Sequence, residues 1–353
     1  VSKALTPAHP EELIHLSEES LKIIIPMAGF GTRLRPHTWS KPKPLVSAAG
    51  KAVLGHVLDI ITKAGDPRNT ELIFIIGYLG DQVRPYMEQH YPEIKAYYYV
   101  QQEMKGQSHA IAMAREHMHG PTLVIFVDTI VDADLTFLAD EEADAVIWVK
   151  QVEDPRRFGV VDVGSDGYVQ DLIEKPDSME NNLAVVGYYY FKRGEDLLAA
   201  IDAQINDEMI TKGEYYIADA MNVMIRNGLR MRPETVDNWL DAGLPDTVLA
   251  SNRYLLEHGR DNTAELKLGN DVTILPPVYI HLDATVQNST IGPCVSIGAG
   301  SIVEDSVIAD SILEPGAQVR GSTLKASILG VDTYVEGIEG SVNLGDHARV
   351  SGS

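Results

Sequence analysis

Residues 26 to 46, PMAGFGTRLRPHTWSKPKPLV, join a glycine turn to a dense set of cations. From Leu21 through Leu58 the chain carries six Lys or Arg residues (Lys22, Arg33, Arg35, Lys41, Lys43, Lys51) and no carboxylate, in a protein of formal net charge -22. An unpaired cationic loop of this kind suits a small polyanionic ligand, and Gly29 and Gly31 let backbone N–H groups approach phosphate oxygens closely. The stretch completes neither common phosphate fingerprint: Gly29-x-Gly31 lacks the third glycine of a dinucleotide loop, and no GxxxxGK[ST] occurs. Farther on, Asp128 and Asp241 offer hard oxygen ligands, suited to Mg²⁺ with waters and phosphate oxygens if the fold brings them to one crevice. Glu174 beside Lys175 could by itself be an ordinary surface ion pair, though a functional role is favoured. The 11 histidines form no HxxxH pair with a third partner, which leaves no zinc pattern.

Composition sets the limits around these residues. A chain of 353 residues with 44% hydrophobic content has material for two cores. Its acidic balance argues against nucleic acid or an anionic membrane surface as main partner. Cys294 is the single cysteine, which excludes an internal disulfide and a multi-cysteine metal site and suits a reducing cytoplasm. No apolar run of membrane-spanning length or signal-type segment appears, so a soluble cytoplasmic protein is expected.

The elements that must position the loop follow a βαβ rhythm. Strand-like runs at KIIIP (from 22), ELIFII (from 71), KAYYYV (from 95) and TLVIFVD (from 122) alternate with helical patterns at 52–65, in QVRPYMEQH and in SHAIAMAREHM. This predicts a Rossmann-like, mostly parallel sheet with helices on both faces, whose ligands lie at the carboxyl ends of the strands. Gly29 to Arg33 and Asp128 both fall just after predicted strands, so they are placed to meet. From Ala143 to about Phe191 successive strands suggest an antiparallel region, and helices are expected near 194–206, 214–227 and 245–258. From Val272 to Val350 an aliphatic residue recurs about every six, with repeated Ser-x-aliphatic triplets such as Ser306-Val307-Ile308 and Ser311-Ile312-Leu313. That period predicts a parallel β-helix of about four coils at roughly 18 residues each. The resulting division is an N-terminal acidic arm (1–20), a sheet domain (21–260), a linker (261–271) and the β-helix (272–353).

The string GxGTRLxP, followed by PKPL, resembles the signature of the sugar-1-phosphate nucleotidyltransferases, or NDP-sugar pyrophosphorylases. The likeness continues in order through Gln101 and Gly106 in VQQEMKGQSHA, Asp128, Phe158-Gly159-Val160-Val161, Glu174-Lys175-Pro176, Ala184-Val185-Val186-Gly187 and Trp239-Leu240-Asp241. The terminal hexads resemble the left-handed β-helix of the family's long forms. Ala28, where the family most often has glycine, gives a PxAGxGTR start similar to uridylyltransferases of glucose-1-phosphate. Val127 and Thr129 around Asp128 differ from the thymidylyl branch.

The resemblance implies a reaction in which a sugar-1-phosphate oxygen attacks the α-phosphate of a nucleoside triphosphate and pyrophosphate leaves. Such chemistry needs positioning, cations and Mg²⁺ rather than a covalent nucleophile. It implies Arg33 near the leaving pyrophosphate and Lys43 near the α-phosphate. Met27, Ala28, Gly29, Gly31, Thr32, Gln101 and Gly106 would surround the nucleotide. Gly159, Glu174, Lys175, Gly187 and Trp239 would hold the sugar phosphate, with Asp128 and Asp241 on the metal. Glucose-1-phosphate with dTTP or UTP is the favoured pair, with mannose-1-phosphate guanylyl transfer as an alternative within the family. A non-catalytic sugar-nucleotide-binding subunit and a β-helix acyltransferase using His281 or His347 are the rivals of other classes. Gly159 and Gly187 read equally as strand irregularities, whereas His109 reads as a helix-terminal residue and the runs Tyr97–Tyr99 and Tyr188–Tyr190 as alternating strand packing rather than stacking platforms. The β-helix or the sheet domain is expected to support a homo-oligomer.

Overall fold

Leu21–Pro26 (β1) is apolar apart from Lys22, and Ile23, Ile24 and Ile25 are fully buried. A strand apolar on both faces needs cover on both sides. Ile23 and Ile25 pack into one core with Val53–Ala64 (α1), Val83–His90 (α2) and Pro245–Leu255 (α6). Ile24 packs into the other with Gln107–Ala112 (α3), Gly194–Asn206 (α4) and Ile217–Arg226 (α5). The computed structural model describes residues 20–64 and 69–352. The acidic arm expected at the N-terminus therefore lies, apart from Ser20, outside the described residues.

β1 is flanked in parallel by Thr70–Ile76 (β2) and Thr122–Ile125 (β4), and Lys95–Val100 (β3) adds in parallel beyond β2. Thr129–Val131 (β5) leaves the sheet. The antiparallel half expected after Ala143 is present: Leu183–Phe191 (β9) runs against β4 and against Ala145–Gln151 (β6), and Gly159–Val163 (β7) runs against Val169–Glu174 (β8). Met231–Thr235 (β10) then pairs in parallel with β6, and Trp239–Asp241 (β11) pairs antiparallel with β5. The tyrosine run in β9 alternates as strand packing requires, with Tyr188 and Tyr190 in the first core and Tyr189 in the second.

Residues 273–351 form three parallel sheets of five short strands each, the arrangement of a left-handed β-helix. Thr273 lies beside Thr290, Val307 beside Thr323, and Ile328 beside Asn343, so a coil takes 17, then 16, then 15 residues. Five rungs thus occupy the length in which hexad arithmetic places four. The corners are tight for a chemical reason. Asn288, Asp305, Asp310 and Ala326 turn with φ of 44°, 49°, 48° and 50°, and each precedes a serine. Ser289 Oγ accepts the Ser306 N–H at 3.0 Å, Ser306 Oγ the Ser322 N–H at 3.1 Å, and Ser311 Oγ the Ser327 N–H at 3.1 Å. These ladders satisfy backbone donors that a buried corner strips of water, which is what the Ser-x-aliphatic repeat encodes. Inside, Ile291, Ile308 and Leu324 stack on one sheet and Ile297, Leu313 and Leu329 on another. Ile312 and Ile328 point outward into the α1/α2/α6 core, so the coil is packed against the sheet domain. Among the described residues no helix is long and apolar enough to cross a membrane.

Candidate active site

Beyond Pro26 the chain keeps one more sheet bond, from the Met27 N–H to Ile75 O at 2.9 Å, and Met27 and Ala28 stay buried. Gly31, at φ +59°, then opens the 3₁₀ turn Thr32–Leu34 that carries Arg33, and its carbonyl accepts the Thr38 hydroxyl at 2.8 Å. Gly29 differs from it. Its φ is ordinary and a Cβ added there would meet nothing within 4 Å, so the fold does not demand glycine; the open crevice beside it does.

That crevice has two lobes at the carboxyl ends of the strands. The first, about 450 Å³, is lined by Met27 through Arg33, Lys43, Met104, Gly106 and Gly243. The second, about 360 Å³, is lined by Arg157, Phe158, Gly159, Glu174, Lys175, Gly187, Tyr216, Trp239 and Asp241. Arg33, Gln107, Phe126, Asp128 and Glu214 line both, so the lobes meet across Arg33 and Asp128.

Asp128 occupies the turn between β4 and β5 rather than a strand end. The β5/β11 ladder sets Asp241 opposite Thr129, and the Ala242 N–H donates to Asp128 O at 2.9 Å. The two aspartates, remote in sequence, thereby become neighbours. Lys43 Nζ donates to Asp128 Oδ2 at 2.8 Å, while Asp241 Oδ1 accepts the Gly243 N–H at 2.7 Å. Burial opposes ionisation of Asp128, but Lys43 and, more weakly, Arg33 outweigh it and hold its carboxyl below the usual range. Asp128 and Asp241 thus set carboxylate oxygens side by side in the crevice. Among the described residues no group of three or more His, Cys, Asp or Glu side chains could cage a metal alone. A hard divalent cation that keeps waters and takes phosphate oxygens fits such a half-site.

The second lobe is built on the β7/β8 hairpin and on β9. Gly159 lies opposite Glu174, and a Cβ there would sit 3.1 Å from Glu174 Oε2. Gly187, at φ +92°, marks the register shift in the β9/β6 ladder, and its carbonyl accepts the Phe126 N–H at 2.9 Å. Lys175 Nζ donates to Tyr216 OH at 3.0 Å and lies 3.5 Å from Glu174 Oε1. Burial lifts the Glu174 carboxyl above its ordinary value even though Lys175 and Lys212 pull it down. Burial also opposes the Lys175 charge, but Tyr216 and Glu174 raise its pKa on balance. Trp239 packs edge-on against Phe158 at 4.7 Å, forming an aromatic wall.

Two readings of the sequence change here. The cationic stretch is not unpaired: Lys43 binds Asp128, Lys51 lies 2.5 Å from Asp59, and Lys41 pairs with Glu314 and Asp346 of the β-helix. These carboxylates lie outside residues 21–58 in the sequence, and folding brings them to the cations. Gln101 is 5% exposed, does not line either lobe, and donates its amide to His109 Nδ1 at 3.0 Å. Gly106 and the neighbouring Gln107 do line the first lobe. Sequence reasoning passed over Gln107, Arg157, Lys212, Glu214 and Tyr216. Lys212 Nζ donates to Lys175 O at 2.7 Å, and both lysines hold left-handed backbone at φ 49°. A sequence signal for Lys212, Glu214 and Tyr216 lay in KGEYY at 212–216, which overlaps the start of the helix expected near 214–227.

A Rossmann-like sheet with a glycine and cation loop, two joined carboxylates and a second basic lobe defines an α/β transferase acting on phosphate esters. The chain belongs to the nucleotidyl transferase family, whose model matches residues 22–258. It is 30% identical over 233 residues to the UTP--glucose-1-phosphate uridylyltransferase AglF of Haloferax volcanii, spanning 64% of this chain and 93% of that one. It is 28% identical over 359 residues to the glucose-1-phosphate thymidylyltransferase of Streptomyces griseus, spanning 93% of this chain and 99% of the relative. Among solved structures, a UDP-glucose pyrophosphorylase complexed with UDP-glucose superposes with a TM-score of 0.58 at 20% identity, over 68% of this chain and 99% of that one. At that identity the likeness speaks to the fold.

Proposed function

We propose that the protein joins a nucleoside triphosphate to a sugar-1-phosphate, releasing pyrophosphate and an NDP-sugar, with UTP or dTTP and glucose-1-phosphate as its pair. The observation that carries the reading is the meeting, at Arg33 and Asp128, of two lobes that each carry cations, Lys43 in the first and Arg157 and Lys175 in the second. Two polyanions docked in those lobes face each other across a cation and an ionised carboxylate. In the transfer, an oxygen of the sugar phosphate forms a bond to the α-phosphorus and the bond from that phosphorus to the β-phosphate oxygen breaks. The nucleophile is already an anion, so no general base is needed; opposing like charge is the barrier.

Gly29 gives the triphosphate room beside its backbone. Lys43 turns from Asp128 to the α-phosphate, Arg33 faces the departing pyrophosphate, and Lys175 holds the sugar phosphate while Glu174 accepts from sugar hydroxyls. Asp128 and Asp241 would hold Mg²⁺, which supplies charge neutralisation at the phosphates. The uridylyl and thymidylyl relatives, together with Ala28 in the loop, support a pyrimidine triphosphate. Self-association of the chain belongs to the same reading, with Leu275 and Leu282 exposed on the first coil as its apolar surface; sedimentation velocity tests it.

The deciding experiment is pyrophosphate release measured for dTTP, UTP, GTP, ATP and CTP against glucose-, mannose- and N-acetylglucosamine-1-phosphates. A pyrimidine triphosphate with glucose-1-phosphate should give the highest kcat/KM. Silence in every cell would leave a binding subunit instead. Asp241→Asn should abolish turnover on the best pair and leave the circular dichroism spectrum unchanged, whereas full activity would remove Asp241 from the metal.

A further inference from the structure

The loop that presents Arg33 and Lys43 to the crevice lies with its back on the β-helix. Lys41 is 8% exposed and its ammonium is paired with the carboxylate of Glu314, itself 2% exposed, and lies 3.2 Å from Asp346 Oδ1. The second oxygen of Glu314 accepts the Ser47 N–H at 3.0 Å. Ser40 Oγ donates to Asp346 Oδ2 at 2.6 Å, and the His37 ring is bonded to the Asn343 side chain. Lys43 follows Lys41 by two residues, with Pro42 before it and Pro44 after it, so little slack separates the pair on the coil from the pair with Asp128.

We propose that Glu314, backed by Asp346, is a positioning residue for Lys43: the β-helix takes part in the transfer by fixing, through Lys41, the loop that carries the phosphate-binding cations. The inference rests on the reading of Lys43 as the α-phosphate cation. Docking alone does not account for a charge pair at this point. The coil is held to the sheet domain elsewhere, by Ile312 and Ile328 in the core and by Arg253, which grips Asp310 with two bonds of 2.7 Å. A buried ion pair is a poor source of stability compared with apolar contact but fixes one register of the groups it joins. Here that register belongs to the catalytic loop, whereas Arg253 lies on α6, away from both lobes.

The two contacts at one interface supply the control. Glu314→Gln should lower kcat on the best substrate pair at least tenfold, with the KM for the sugar phosphate within twofold of wild type and partial recovery in Glu314→Asp. Asp310→Asn should reduce the melting temperature and keep kcat within twofold. Hydrogen exchange gives a readout independent of turnover: the amides of Lys43, Leu45, Val46 and Ser47 should exchange at least tenfold faster in Glu314→Gln and unchanged in Asp310→Asn. Should Glu314→Gln not fold, the double variant Lys41→Met/Glu314→Met replaces the buried pair with apolar side chains of similar length, leaves Asp346 with its Ser40 bond, and should still turn over slowly. Wild-type kcat and exchange in Glu314→Gln or in the double variant would overturn the proposal, as would equal loss of kcat in Asp310→Asn. If wild type is active and Lys43→Met is not, while Glu314→Gln is normal, this inference alone fails; an inactive wild type condemns the functional reading, and the exchange data still judge the loop.

Discussion

At the scale of single residues the site is a set of mutual neutralisations waiting for substrate. Lys43 and Asp128 satisfy each other at 2.8 Å, and in the proposed reaction both are needed elsewhere once a triphosphate enters. Lys43→Met should therefore reduce kcat by about 10²–10³-fold, the size expected for one preorganised charge at a developing anion, with thermal unfolding near wild type. Initial rates at saturating substrate check it. Glu174 adds a pH signature. Burial raises its pKa, so as pH falls the carboxylate is lost earlier than an ordinary carboxyl near 4.3. If, as proposed, the ionised form accepts from sugar hydroxyls, the KM for the sugar phosphate should climb on the acid side at a pH above that ordinary value. The substrate's own phosphate titrates too, so the comparison is with Glu174→Gln, in which the enzyme's share of the climb should vanish. An identical acid limb in both would separate Glu174 from the sugar. The residues named by motif (Arg33, Lys43, Asp128, Lys175, Asp241) were legible because each adjoins a strand end or turn with local grammar of its own. Gln107, Glu214 and Tyr216 reach the crevice only because 105–108 is stitched to 214–217, through Tyr215 N to Lys105 O and Ser108 N to Tyr215 O, both at 2.9 Å. Nothing in either segment alone announces that contact.

At the scale of elements, period was readable and tertiary spacing was not. The strands and helices of the sheet followed from apolar runs, and the β-helix from its hexads, yet its coil length did not, because the ladder corners shorten the turn below three full hexads. The corners make a stability prediction. Ser306→Ala removes the acceptor of the buried Ser322 N–H and the donor to Glu304 O, and should cost about 1–3 kcal/mol in urea unfolding. Thr323→Ala, one rung away and exposed, should stay within about 0.5 kcal/mol. Helix α1 carries a second test. Burial pushes His56 down to about 4 despite its bond to Ala48 O at 2.8 Å. The unfolded chain takes up that proton near 6.5 and the folded chain refuses it until about 4, so stability is full above 6.5 and falls through this window. The loss by pH 4 is roughly 3 kcal/mol. His56→Asn should flatten that part of the pH–stability curve; an unchanged slope would place the acid sensitivity elsewhere.

At the scale of the whole molecule, two fields of opposite sign act on an incoming triphosphate. The net charge of -22 repels it at long range, while Arg33, Lys43 and Lys175 attract it inside the crevice. Ionic strength separates the two by distance. At 0.01 M salt the screening length is about 30 Å, comparable to the molecule, so the ligand feels the whole negative surface; at 0.15 M it is about 8 Å, and only the nearest cations count. Raising salt across that range should therefore increase the kcat/KM for the triphosphate at fixed free Mg²⁺, the reverse of what a basic phosphate-binding protein shows. A further rise toward 1 M, where screening reaches about 3 Å, should weaken the local cations as well and bring kcat/KM down again. Steady-state rates at subsaturating triphosphate, in potassium chloride from 0.01 to 1 M, trace this curve. A monotonic fall from the lowest salt would mean that the crevice field outruns the acidic surface at every distance.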